Sequence, residues 1–217
     1  MPTFGVAAFL KVASLNPKPR KTELRKRLFP SGDGYDFHRR LKLASNKHVV
    51  AGEGLAGLLE YAGKITPLPE RKAMVAGLTK LGLWRNGAPG DGFKPQNKIY
   101  ESPRNIFKIA FQPEFGLKRG SERLAFHVWN TKRPDLKPGA IYSTLALMSD
   151  LYAEDDDAPD DFGILSLHEP KAYLLSDAAA VRTAWRSMVE WVEELMLDIR
   201  SEEAGLGDAL EDRPPPW

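Results

Sequence analysis

Apolar positions along the chain change period four times, and those changes predict its elements. In the first half they recur at helical spacing. Phe4 to Ala13 reads as a short apolar helix, ended by the breaker Asn16-Pro17-Lys18-Pro19. Thr22 to Leu28 reads as a small basic helix, closed by Phe29-Pro30 and a Ser31-Gly32-Asp33-Gly34 turn. Asp36 to His48 places Phe37, Leu41 and Ala44 on one stripe, and Leu55 to Ala62 and Glu70 to Leu83 continue the pattern. After a Gly/Pro/Asn-rich connector from Asn86 to Asn97, two runs read as strands. These are Ile106 to Phe111 and Leu124 to Asn130, with a Lys118-Arg119-Gly120 turn between them. Ile141 to Tyr152 returns to helix. Phe162 to His168 and Ala172 to Leu175 read as short strands, and Ala178 to Ile199 as a long amphipathic helix.

The expected fold class is therefore α+β: a helical N-terminal region followed by a small mixed sheet in ββαββα order with packed helices. The expected divisions are a helical basic region at 1–85, a connector at 86–104, a sheet domain at 105–200 and an acidic, Pro-rich flexible tail at 201–217.

Charge changes this picture most. Residues 1–150 carry 26 Lys/Arg against 12 Asp/Glu, and residues 151–217 carry 5 against 17. A formal net charge of +2 thus conceals a basic body and an acidic end. A basic body suits a polyanion, of which nucleic acid, DNA or RNA, is the commonest. Arg20, Lys21, Arg25, Lys26, Arg27, Arg39, Arg40, Lys42 and Lys47 fall within 28 residues and are the expected phosphate contacts. They also fit a solvated face without a partner. The competing class is a protein-interaction module that recruits a basic partner, or a second copy, through the acidic C-terminal region. An acidic tail folded back on the basic helices would compete with polyanions.

Cysteine is absent, which excludes disulfides, thiol nucleophiles and thiolate zinc sites. The apolar run at the N-terminus stops at Lys11, far short of a membrane span, so a soluble cytoplasmic protein is expected.

Other motifs are weaker. Gly52-Glu53-Gly54-Leu55-Ala56-Gly57 satisfies GxGxxG, but no buried strand precedes it, and a turn with close helix packing explains it better. The acidic run Glu154 to Asp161 lacks calcium-loop spacing. His38, His48, His127 and His168 show no ligand spacing, and Ser166, His168 and Asp177 lack a nucleophile elbow. Trp185 belongs to the apolar stripe of its helix. Trp191 sits off it, where it would mark an exposed patch.

Pro113-Glu114 follows the first strand, and Asn130-Thr131-Lys132 ends the second, ahead of a helix and two more strands. On those residues the segment 105–176 resembles a degenerate PD-(D/E)xK nuclease core. The resemblance implies that Glu114 is the metal-binding acid, that Lys132 stabilises the attacked phosphate, and that Asn130 stands where a second acid belongs. Asn130 supplies a neutral oxygen, so Mg²⁺ would be held weakly there. Catalysis, if present, would be divalent-metal-dependent phosphodiester cleavage.

Overall fold

The computed structural model describes residues 1–31, 36–178 and 184–205. Most of the expected Ser31–Gly34 turn, residues 179–183 of the expected last helix and the tail from 206 onward lie outside the described residues.

The fold is α+β. A short strand β1 (Thr3–Gly5) runs into α1 (Val6–Ser14), and α2 (Pro17–Leu28), α3 (Arg39–Val49), α4 (Leu55–Gly63) and α5 (Leu68–Asn86) follow. Five strands come next: β2 (Asp91–Phe93), β3 (Lys98–Glu101), β4 (Lys108–Phe111), β5 (Phe115–Arg119) and β6 (Glu122–Trp129). Helix α6 (Pro138–Tyr152) then leads to β7 (Asp161–Ser166), β8 (Lys171–Leu174) and α7 (Ala184–Glu203).

Two sheets result. The smaller has the order β1-β4-β3, with β1 parallel to β4; the larger is β2-β5-β6-β7-β8. In the larger sheet only the β6–β7 pair is parallel, and α6 makes that crossover. Strand β6 shows why this sheet is central. Leu124, Phe126 and Val128 join one core with residues of α3, α4 and α5, while Ala125 and Trp129 join another with α1, α6 and α7. A strand covered on both faces needs apolar residues at both parities, which accounts for the run Leu124-Ala125-Phe126. Residues from the chain's start share the second core with α6 and α7, and α2 contacts α7.

The departures from the expected elements have local causes. Helix α1 ends at Ser14, ahead of Asn16-Pro17-Lys18-Pro19 as expected, but Pro17-Lys18-Pro19 also begins α2. The first turn's N–H groups have no intrahelical acceptor, so proline costs nothing there. Phe4 lies in β1, where pairing with Ile109 decides its conformation. Strand β4 belongs to the smaller sheet, and the partner of β6 is β5, which was expected to be loop and turn. The hairpin closes at Gly120, whose φ of 61° is left-handed. Strand β2 depends on Gly92, because a Cβ there would lie 1.8 Å from the Val49 carbonyl oxygen at the end of α3. Trp185 and Trp191 exchange their expected roles. Trp191 is buried, and Trp185 is half-buried with its indole N–H donating to Asp150.

Candidate anion-binding cleft

Strand β5 begins at Phe115, opposite Phe126, so Val128 lies beyond the end of its neighbour. Glu114 fills the gap. Its backbone N–H donates to the Phe126 carbonyl, and its carboxylate accepts the Val128 N–H at 2.8 Å. The His127 Nδ1 stands 3.3 Å from the same carboxylate oxygen. Both side chains are buried, at 8% and 6% residue exposure, so each offsets the other's cost of leaving water. The other imidazole nitrogen, Nε2, is buried without a hydrogen-bond partner.

Glu114 and His127 line a cleft of about 390 Å³ between the two sheets. Helix α3 supplies one wall through Arg39, Lys42 and Asn46, whose i, i+3, i+7 spacing puts them on one face. Asn46 donates to the Glu114 carbonyl at 2.8 Å, and Lys42 is 3.4 Å from Asp36. Arg39 is exposed; its backbone N–H donates to the Asp36 carbonyl, and its side chain makes no hydrogen bond or ion pair among the described residues. Gly5, Val6 and Ala7, where β1 becomes α1, also line it. That helix start has no side-chain cap and no acid in its first turn. Lys94 lines the cleft as well and donates to the Pro113 carbonyl at 2.7 Å. Partial burial of its ammonium lowers its pKa, and the Glu114 charge opposes that shift.

The nine nominated cations do not act alike. Arg20 is buried, donates to the Val12 and Leu15 carbonyls, and lies 4.3 Å from the Trp191 ring centroid. Lys21 and Arg25 face the end of α7. Lys21 is 2.5 Å from Glu202, and Arg25 is 3.1 Å from Glu202 and 2.6 Å from Glu203. Lys26 is exposed, 3.6 Å from Glu23, and the exposed Arg27 lies over the Phe4 ring. Arg40 pairs with the buried Glu70 at 3.3 Å, and Lys47 pairs with Glu53 at 3.2 Å. Of the nine, only Arg39 and Lys42 line the cleft.

The nuclease-like trio is dispersed. Glu114 lines this cleft, Lys132 lines a separate one with Asp135 and His168, and the Asn130 amide donates to the Ala73 carbonyl of α5. Strand β6 ends at Trp129, so strand alternation does not extend to Asn130 and Lys132. Among the described residues, no group of three or more His, Asp or Glu is arranged to hold a metal ion. The donor set around Glu114 therefore does not fit Mg²⁺.

The remaining motifs resolve into structure. GxGxxG follows helix α3, not a strand, and spans the turn into α4, with Gly52 at φ 70°. Asp155 and Asp157 of the acidic loop pair with Lys98 and Arg123. Asp177 accepts the Leu174 N–H. His38 is half-buried with its Nε2 3.5 Å from the Thr131 hydroxyl, and burial lowers its pKa while Asp36 and Glu70 pull it back. Among the described residues no helix is long and apolar enough to cross a membrane.

Sequence reasoning missed His127 and Lys94. A histidine inside the apolar run of β6 was the available signal, because a titratable group on a doubly covered strand needs a partner.

No protein-family model and no curated protein sequence matches the chain. Among solved structures, the crystal structure of SSO0001 aligns over 87% of this chain and 84% of its own, at 10% identity and a TM-score of 0.32. A likeness that weak bears on neither fold nor function.

Proposed function

We propose that the protein binds nucleic acid, with the Arg39–Lys42 face of α3 and the adjoining cleft as its contact surface. One observation carries the reading. Arg39, Lys42 and Lys94 line a cleft that the uncapped start of α1 also lines, and the Arg39 side chain is uncommitted among the described residues. Cations together with a helix N-terminus are the groups that recognise phosphate oxygens. The basic bias of residues 1–150 supports the same reading. Within it, α2 is secondary, since Glu202 and Glu203 already engage Lys21 and Arg25. Hydrolysis through Glu114, Asn130 and Lys132 falls outside it, because those side chains do not converge.

The test is fluorescence anisotropy of labelled single- and double-stranded DNA and RNA at low and high salt. Contacts to phosphate give an affinity that falls steeply as salt rises. Absence of binding at low salt overturns the proposal.

A further inference from the structure

We infer that the groove between α3 and α4 holds an unpaired nucleobase, so that the protein takes single strands; this deepens the nucleic-acid reading and rests on it. Helical spacing gives α3 two different outward sides. Arg39, Lys42 and Asn46 line the cleft that holds Glu114. Arg40, Ala44 and Lys47 line a second groove, of about 550 Å³, with Leu58 and Tyr61 of α4. Leu43 falls between the two sets at about 3.6 residues per turn, and it lines both. This leucine is 56% exposed, an apolar residue joining a cationic cleft to an apolar groove.

The groove itself suits a base. Tyr61 is 53% exposed, and its side chain makes no hydrogen bond, ion pair or ring contact among the described residues. Aromatic rings of this kind are what the bases of single strands stack on. Gly54 and Gly57 also line the groove, and a Cβ on either meets nothing within 4 Å. Close helix packing therefore does not call for these glycines, although Gly57 lies within α4, where glycine weakens a helix. Their effect is to leave the groove open. Among its charged lining residues, Arg40 and Lys47 outnumber Glu53, which complements a base that carries phosphates with it. A strand crossing Leu43 sets a phosphate against Arg39 and Lys42 and the neighbouring base in the groove. In a duplex that base is stacked and paired, and it does not reach the groove.

Three probes test this: a labelled single strand, an abasic strand of the same length and charge, and an abasic strand carrying one 2-aminopurine. Anisotropy at low salt compares the first two, and quenching of the 2-aminopurine emission reads stacking in the third. The parent is expected to bind the natural strand about tenfold more tightly than the abasic one, within the range of one stacked base, and to quench the 2-aminopurine. Tyr61→Ala loses the quenching and binds the natural strand about tenfold more weakly; Tyr61→Phe, which keeps a ring, restores both. Gly57→Leu fills the groove from open space, so it loses the quenching with an unchanged or higher thermal midpoint.

Equal binding of natural and abasic strands by the parent, or quenching that survives Tyr61→Ala or Gly57→Leu, overturns the base site and leaves the nucleic-acid reading standing. Absence of binding by every strand at low salt overturns both. A concentration-dependent dimer that Gly57→Leu abolishes, with no quenching by the parent, assigns the groove to a second copy and overturns the base site.

Discussion

Replacing Glu114 separates a structural carboxylate from a metal ligand. In Glu114→Ala the Val128 N–H, now 2.8 Å from its acceptor, is left buried with nothing to receive it, and His127 loses the carboxylate 3.3 Å away. A buried polar group stripped of its partner costs about 1–3 kcal/mol, so the two together cost about 2–6 kcal/mol. That is a large share of a stability of roughly 5–15 kcal/mol. Glu114→Gln keeps a carbonyl oxygen for Val128 and gives up only the charge facing His127, at about 1–2 kcal/mol. Urea unfolding followed by circular dichroism reads both values. The folded Glu114→Gln protein should also bind oligonucleotide at least as tightly as the parent, because a negative charge has left a cleft proposed to hold anions. Two results refute this reasoning. One is a Glu114→Ala protein within about 0.5 kcal/mol of the parent, inside the range of an inert surface change. The other is a folded Glu114→Gln protein whose oligonucleotide binding is lost.

Three further outcomes follow from the geometry. Gly92→Ala drives a methyl group into the Val49 carbonyl, so it should cost about 3 kcal/mol in urea unfolding, near the upper end for overpacking. His38 has a folded pKa held below its ordinary 6.5 by burial, so the unfolded chain binds the proton more readily. Its contribution is full above about pH 6.5 and lost as pH falls through the folded value; unfolding free energies measured from pH 7 to 5 should decline, and His38→Gln should flatten the decline. Glu202→Gln releases Lys21 and one arm of Arg25. It should strengthen oligonucleotide binding several-fold at low salt while changing stability by less than about 1 kcal/mol, as expected for partly exposed ion pairs.

Long periodic elements were legible in the sequence, and so were the short strands β4 and β8, but β1, β2, β3 and β5 were not. Helices α4, α5 and α6 and strands β6 and β7 fall close to where apolar spacing places them, because each buries a face long enough to set a period. Strands β1, β2 and β3 have three or four residues, and what makes them strands is the neighbour they pair with. The sequence Phe115-Gly116-Leu117-Lys118-Arg119 was hidden for a related reason. Its glycine lies against the Phe93 ring, and its charged end lies in the β5–β6 hairpin, neither of which composition reveals. The site shows the same division. Glu114 stood out as a lone acid after a strand, but its partners come from the β5–β6 register. Arg39 and Lys42 were nominated with seven other cations, and only tertiary pairing distinguishes them. Arg20 belongs to the same basic run yet is buried against Trp191.

Arg39 offers the most direct test of a phosphate-binding cleft, since its reversal breaks no hydrogen bond or ion pair among the described residues. Labelled oligonucleotide is titrated with the parent protein and with Arg39→Glu at about 50 and 200 mM salt, a range over which phosphate contacts weaken strongly. The account predicts salt-sensitive binding by the parent and at least tenfold weaker binding by Arg39→Glu at the lower salt, with thermal stability unchanged. Equal affinity of the two proteins, or no binding by the parent at low salt, contradicts it.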